Sequence, residues 1–94
     1  MVIQIYGKEG CKLCKSAKKK VSVLLDRWSV DEDVKLSFMD VETEYGAAEA
    51  DFFDVFEIPT VLLKKEEDDM DVIARWDEQA PPSSELKQHL DGAA

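Results

Sequence analysis

Two cysteines three apart, Cys11 and Cys14, are the only residues of their type in the chain. As a pair they can pass between a dithiol and a disulfide, which neither can do alone. They sit in Gly7-Lys8-Glu9-Gly10-Cys11-Lys12-Leu13-Cys14. The run before it, Val2-Ile3-Gln4-Ile5-Tyr6, is short, apolar and rich in β-branched residues, so it reads as a buried strand. Gly7 and Gly10 bracket a turn, and Lys12 to Trp28 then reads as a helix. The cysteines therefore fall at a helix start directly after a strand. The first N–H groups of a helix lack intrahelical partners and favour negative charge, so a thiol placed there ionises more easily.

The helix pattern divides the work between the sulfurs. Ala17, Val21, Leu24, Leu25 and Trp28 recur at helical offsets and make one stripe, and Cys14 extends it backwards. Cys11 falls at the N-terminal lip, where no preceding turn covers it. The expectation is an exposed, activated Cys11 and a recessed Cys14 that resolves what Cys11 attacks. The bland alternative makes both cysteines small buried hydrophobes.

Ninety-four residues suit one small domain with a single core, taken as 1–94. No run is long enough to span a membrane, and Val2 enters a strand without a basic start or cleavage site. A cytoplasmic protein is the expectation, and there a working Cys pair is favoured over a structural staple. Closing a four-residue loop would also constrain the unfolded chain very little. The net charge of −9 is unevenly spread. Residues 1–20 carry six lysines (Lys8, Lys12, Lys15, Lys18, Lys19 and Lys20) against Glu9 alone, while the remainder carries six basic and twenty acidic side chains. That remainder would repel phosphate, and no aromatic platform interleaves the lysines, so nucleic acid is not an expected partner.

Further along, Val34 to Met39 alternates as a strand, and Tyr45 to Phe56 reads as a second helix with a core patch of Phe52, Phe53 and Phe56. Ile58-Pro59-Thr60 leads into a strand over Val61–Leu63; Pro59, which cannot donate to a ladder, belongs at its start. Lys64 to Asp69 is a charged tight connection to a strand over Met70–Trp76, and its shortness requires an antiparallel pair. Pro81-Pro82-Ser83-Ser84 opens a last helix, with Ser83 or Ser84 as its cap and Leu86 and Leu90 turned inward. His89, the single histidine, reads as a surface residue. The order βαβαββα makes an α/β fold: a four-stranded mixed sheet flanked by helices, its first two strands parallel.

At these residues the chain resembles the thioredoxin-fold superfamily, and within it the glutaredoxins. The likeness rests on Tyr6-Gly7-Lys8-Glu9-Gly10-Cys11-Lys12-Leu13-Cys14-Lys15-Ser16-Ala17-Lys18 and on Ile58-Pro59-Thr60, where the superfamily keeps a cis-proline facing the cysteines. The resemblance implies a thioredoxin-like fold and thiol–disulfide exchange with Cys11 as nucleophile and Cys14 as resolver. It implies that Ile58, Pro59 and Thr60 hold a substrate chain and that Lys8 lies near the thiolate; Lys8 and Lys12, part of the positive lip around Cys11, are expected to meet the substrate. The departures also matter. Lys12 stands where glutaredoxins usually carry proline, and Trp76-Asp77-Glu78-Gln79-Ala80-Pro81-Pro82 replaces the Gly-Gly turn and Asp that hold glutathione. No resident cofactor or metal is expected; glutathione is the one candidate the resemblance raises, and these departures count against it.

The expected function is therefore a thiol–disulfide oxidoreductase, acting as a monomer on protein disulfides or dithiols with acidic patches. The sequence does not name its reductase. A reading of another class is a module in which two chains share a metal or iron–sulfur cluster through the same cysteines, since two cysteines cannot fill a tetrahedral site alone.

Overall fold

An apolar run that must hide every side chain has only one place in a sheet, the middle. The computed structural model describes residues 1–92 and puts β1 (Val2–Gly7), buried along its whole length, there. α1 (Lys12–Arg27), β2 (Lys35–Asp40), α2 (Glu44–Phe52), β3 (Thr60–Lys64), β4 (Ala74–Trp76) and α3 (Ser83–Gly92) follow. The strands lie in the order β2-β1-β3-β4. β1 runs parallel to β2, with Tyr6 beside Met39, and antiparallel to β3, with Tyr6 beside Thr60. β4 closes the sheet antiparallel to β3. The expected βαβαββα order and mixed sheet are both present. Ala93 and Ala94, the end of the expected 1–94 unit, lie outside the described residues.

The period of two along the strands separates two packing layers. Ile3, Ile5, Val61 and Leu63 meet Val21, Leu24 and Leu25 of α1 and Leu86 of α3. The other face turns Tyr6 and Leu62 toward Met39, Ala50, Phe53 and Val55, beneath α2. That second face also carries the buried polar groups Gln4, Thr60 and Lys64. Cys14, Ala17, Val21, Leu24 and Leu25 are the buried residues of α1, which is the stripe the helical spacing predicts. Trp28 packs at the edge of the same layer.

Several boundaries differ from the sequence reading, each for a physical reason. α2 stops at Phe52, four residues short of Phe56. Asp54 adopts a left-handed conformation (φ 53°), and the N–H groups of Asp54 and Val55 bond back to the carbonyls of Asp51 and Ala50. This is a Schellman ending with Asp in glycine's place. Only Phe53 of the expected aromatic core patch is therefore buried; Phe52 and Phe56 are 59% and 83% exposed. β4 begins at Ala74 rather than Met70, because Glu66-Glu67-Asp68-Asp69-Met70-Asp71 is too acidic to pair and stays outside the ladder. Ser83 is the first residue of α3, and the Leu86 N–H bonds to the Pro82 carbonyl. Leu86 is buried and Leu90 packs at the margin of the core. His89 is half-buried, its ring edge-on to Trp76 with centroids 5.9 Å apart.

Tyr6 yields a test of this buried polar face. Its hydroxyl donates to Gln4 Oε1 at 3.4 Å, and its pKa is raised from the ordinary 10.0, chiefly by burial and then by the charge of Glu49. A raised pKa favours the protonated, folded form. The associated stability is intact below the unfolded value near 10 and is lost as pH climbs past it toward the folded one. Urea midpoints measured at pH 9, 10 and 11 should fall more steeply for the wild type than for Tyr6→Phe.

Candidate active site

The turn between β1 and α1 delivers both sulfurs. Gly10 takes φ +80° and Cys11, extended at φ −85°, caps α1. Its carbonyl accepts the first helical hydrogen bond, from Lys15 N–H at 3.1 Å. Its Sγ accepts the Cys14 N–H, also at 3.1 Å, in the manner of a capping oxygen. Cys11 is half-buried and Cys14 is fully buried. The two are joined as a disulfide, their Cα atoms 5.2 Å apart, a separation ordinary for such a bond. The reversible formation of that bond is the chemistry available here.

Gly7 has a larger part than the sequence reading allowed. It is the last residue of β1 rather than the start of the turn. A Cβ built on it would lie 2.8 Å from Cys14 Sγ and 3.2 Å from the Phe38 ring. The Cys14 sulfur thus rests directly on a strand backbone, and only glycine permits that approach. A glycine closing a buried strand before the cysteines is the signal that could have pointed to it.

β3 brings the second component. The Ile58–Pro59 bond is cis, as the resemblance implies. Tyr6 pairs with Thr60, so one step further Pro59 comes level with Gly7, at the end of the sheet that carries Cys14. Ile58 is half-buried and Pro59 buried. The Thr60 side chain is fully buried and its hydroxyl donates to the Glu57 carbonyl at 2.6 Å, which braces the loop.

Lys8 and Lys12 are both exposed. Lys8 borders a shallow depression of about 350 Å³ shared with Phe56 and Ile58. Leu13, between the cysteines, is 66% exposed. Arg75, which sequence reasoning missed, reaches from β4 to the carbonyls of Phe53 (2.7 Å) and Asp54 (3.2 Å). It thereby holds the end of α2 from which the cis-proline loop departs. Its guanidinium also pairs with Asp77 at 2.6 Å. Asp77's neighbour Glu78 makes no ion pair among the described residues.

Among the described residues no group of three or more His, Cys, Asp or Glu side chains converges to hold a metal, so one chain offers a soft metal its two thiolates alone. No described helix is long and apolar enough to cross a membrane.

No family model and no curated protein matches the chain. Solved structures do. Thioredoxin 1 from Thermosipho africanus TCF52B superposes with a TM-score of 0.71 at 20% identity, covering 99% of this chain and 93% of that one. Mitochondrial thioredoxin 3 from Saccharomyces cerevisiae gives 0.70 at 22%, covering 96% and 76%. Fasciola hepatica thioredoxin gives 0.67 at 19%, covering 99% and 80%. The protein has the thioredoxin fold, with a Cys-x-x-Cys disulfide at the head of its first helix.

The Gly7 contact can be tested through stability. Gly7→Ala forces a methyl group against Cys14 Sγ, and overpacking of this kind costs about 1–3 kcal/mol. Urea unfolding of the oxidised protein should register that loss. A wild-type midpoint in Gly7→Ala would mean that the strand backbone does not set the position of Cys14.

Proposed function

We propose that the protein is a thiol–disulfide oxidoreductase that exchanges two electrons with protein partners. The observation that carries this reading is the asymmetry of the sulfur pair: Cys11 half-exposed at the helix cap, Cys14 sealed beneath Gly7. In the reduced protein the Cys11 thiolate attacks one sulfur of a substrate disulfide. A mixed disulfide forms, and the first substrate sulfur leaves as a thiolate and takes up a proton. Cys14 loses its proton and attacks Cys11 Sγ, expelling the second substrate thiolate. The substrate gains two electrons and two protons, and the protein keeps the Cys11–Cys14 bond.

The helix cap supports the first step. The Cys14 N–H aimed at Cys11 Sγ favours the anion over the thiol. The helix N-terminus contributes about 0.3–1 kcal/mol at an exposed site, and about 1.4 kcal/mol is a tenfold change in ionisation. Ile58, before the cis bond, offers backbone to an extended substrate chain, with exposed Phe56 as an apolar contact beside it. A cluster-bridging role would use one accessible thiolate per chain, Cys11, and the burial of Cys14 favours exchange over bridging.

Brief alkylation of the reduced protein near neutral pH should label Cys11 before Cys14, and Cys14→Ser should accumulate a mixed disulfide that Cys11→Ser does not. The reverse pattern in peptide mapping would exchange the roles of the two residues.

Partner choice follows from charge. Lys8, Lys12 and Lys15 stand exposed around Cys11 on a chain that is otherwise strongly acidic, a distribution that orients an approaching molecule and speeds encounter. Two synthetic disulfide peptides, one flanked by Asp and Glu and one by Lys and Arg, provide the comparison. At low salt the acidic peptide should react faster, by on the order of tenfold. The gap should narrow near 0.15 M salt and reverse in Lys8→Glu/Lys12→Glu. Equal rates for both peptides, or efficient reduction of the protein by glutathione, would remove the acidic protein partner from the proposal.

A further inference from the structure

A second surface lies at the other end of the sheet. Tyr45, Ala48, Glu49 and Phe52 follow one another at i, i+3, i+4 and i+7 along α2 and so share one face of that helix. The loop between β3 and β4 stands opposite, and the two enclose a cleft of about 370 Å³. Its apolar walls are open to solvent: Tyr45 is 62%, Phe52 59% and Met70 73% exposed. Seven residues of helix measure about 10 Å, so the cleft runs for two turns.

Acids dominate the charge around it, with Lys65 exposed on the same loop. Glu67 is matched by Lys35 at 2.8 Å, but Glu49, Asp68 and Asp69 make no ion pair among the described residues. The one cation on the floor, Lys64, is 1% exposed and points its ammonium at the Phe53 ring, 4.5 Å from the centroid. Glu49 and Asp68 act on the Tyr45 phenol from the two sides of the cleft, and its pKa is raised, first through hydrogen bonding to Glu49 and then through the charges. Exposed aromatic and thioether groups inside an acidic rim complement a segment with apolar side chains on one face and Lys or Arg on the other.

We propose that this cleft between α2 and the β3–β4 loop is a docking site for a basic amphipathic segment of a partner protein. Lys64 and Pro59 mark opposite ends of β3, so the cleft lies at the far end of the sheet from Cys11 and Cys14. A docked segment leaves the disulfide uncovered. The site goes beyond the exchange reaction and does not depend on the cysteines.

The probe is a synthetic 14-residue helical peptide with a Leu/Ile stripe and a Lys/Arg polar face. A scrambled peptide of equal charge and a Glu-substituted peptide serve as controls. In amide NMR spectra the basic peptide should move resonances of residues 45–53 and 64–70 and leave 8–14 in place. Its Kd should rise at least tenfold in Phe52→Ser/Met70→Ser, whose side chains lie outside the core, and in Asp68→Lys/Asp69→Lys, with circular dichroism confirming both folds. The Kd should be unchanged in Cys11→Ser/Cys14→Ser, which separates this result from the exchange reaction. Absence of binding, equal binding of the scrambled peptide, or shifts spread over the whole acidic surface would overturn the proposal. Concentration-dependent self-association abolished by Phe52→Ser would overturn it too, by making a second copy the occupant.

Discussion

The packing of Cys14 Sγ on the Gly7 backbone sets the geometry of the whole cysteine end. A helix can deliver a sulfur that close to a strand only if the strand offers no side chain there and the connecting turn is short. Gly7 meets the first condition, and the turn through Gly10 meets the second. Once Cys14 is sealed, its partner three residues earlier must lie at the helix cap, since one helical turn separates them. The difference in exposure between the two sulfurs is therefore a consequence of where β1 ends. It does not require a separate pocket for either thiol.

The same strand ties the cis-proline to the cysteines. β1 is hydrogen-bonded on both sides, to β2 and to β3, so the register that pairs Tyr6 with Thr60 brings the Ile58–Pro59 bond to the end of β1 that carries Gly7. Two segments nearly fifty residues apart are brought together by ladder hydrogen bonds rather than by side-chain contacts. The approach to Pro59 is held separately. A Schellman ending closes α2, and Arg75 from the edge strand fixes the carbonyls that ending leaves outward.

Most of the fold was legible because its strongest signals are periodic. The stripe in α1, the uninterrupted apolar run of β1 and the order of elements all survive in the structure. Helix ends were harder to read because glycine does not mark them. Ser29 and Asp54 both take the left-handed position after a helix, and neither residue type announces it. At the site, the two sulfurs were readable from type and spacing, and the cis-proline from the family resemblance. The buried Thr60 hydroxyl and the reach of Arg75 were not, because both depend on which residues a strand places beside one another.

The polarity of the molecule follows from the division of its charge along the chain. The lysines cluster in the first twenty residues, and the turn that carries the cysteines opens that segment to solvent at one end of the sheet. The acidic run that fails to pair as strand, Glu66 to Asp71, is left at the other end, where β3 finishes. The acids of this run lie about five strand residues, or ~17 Å, from the cysteine lip. That exceeds a Debye length at physiological salt. Closer to the cysteines, Asp40 lies level with Gly7, and Glu42 and Asp51 share the depression beside Lys8, so the field at Cys11 combines the helix cap and its neighbouring lysines with these nearer acids.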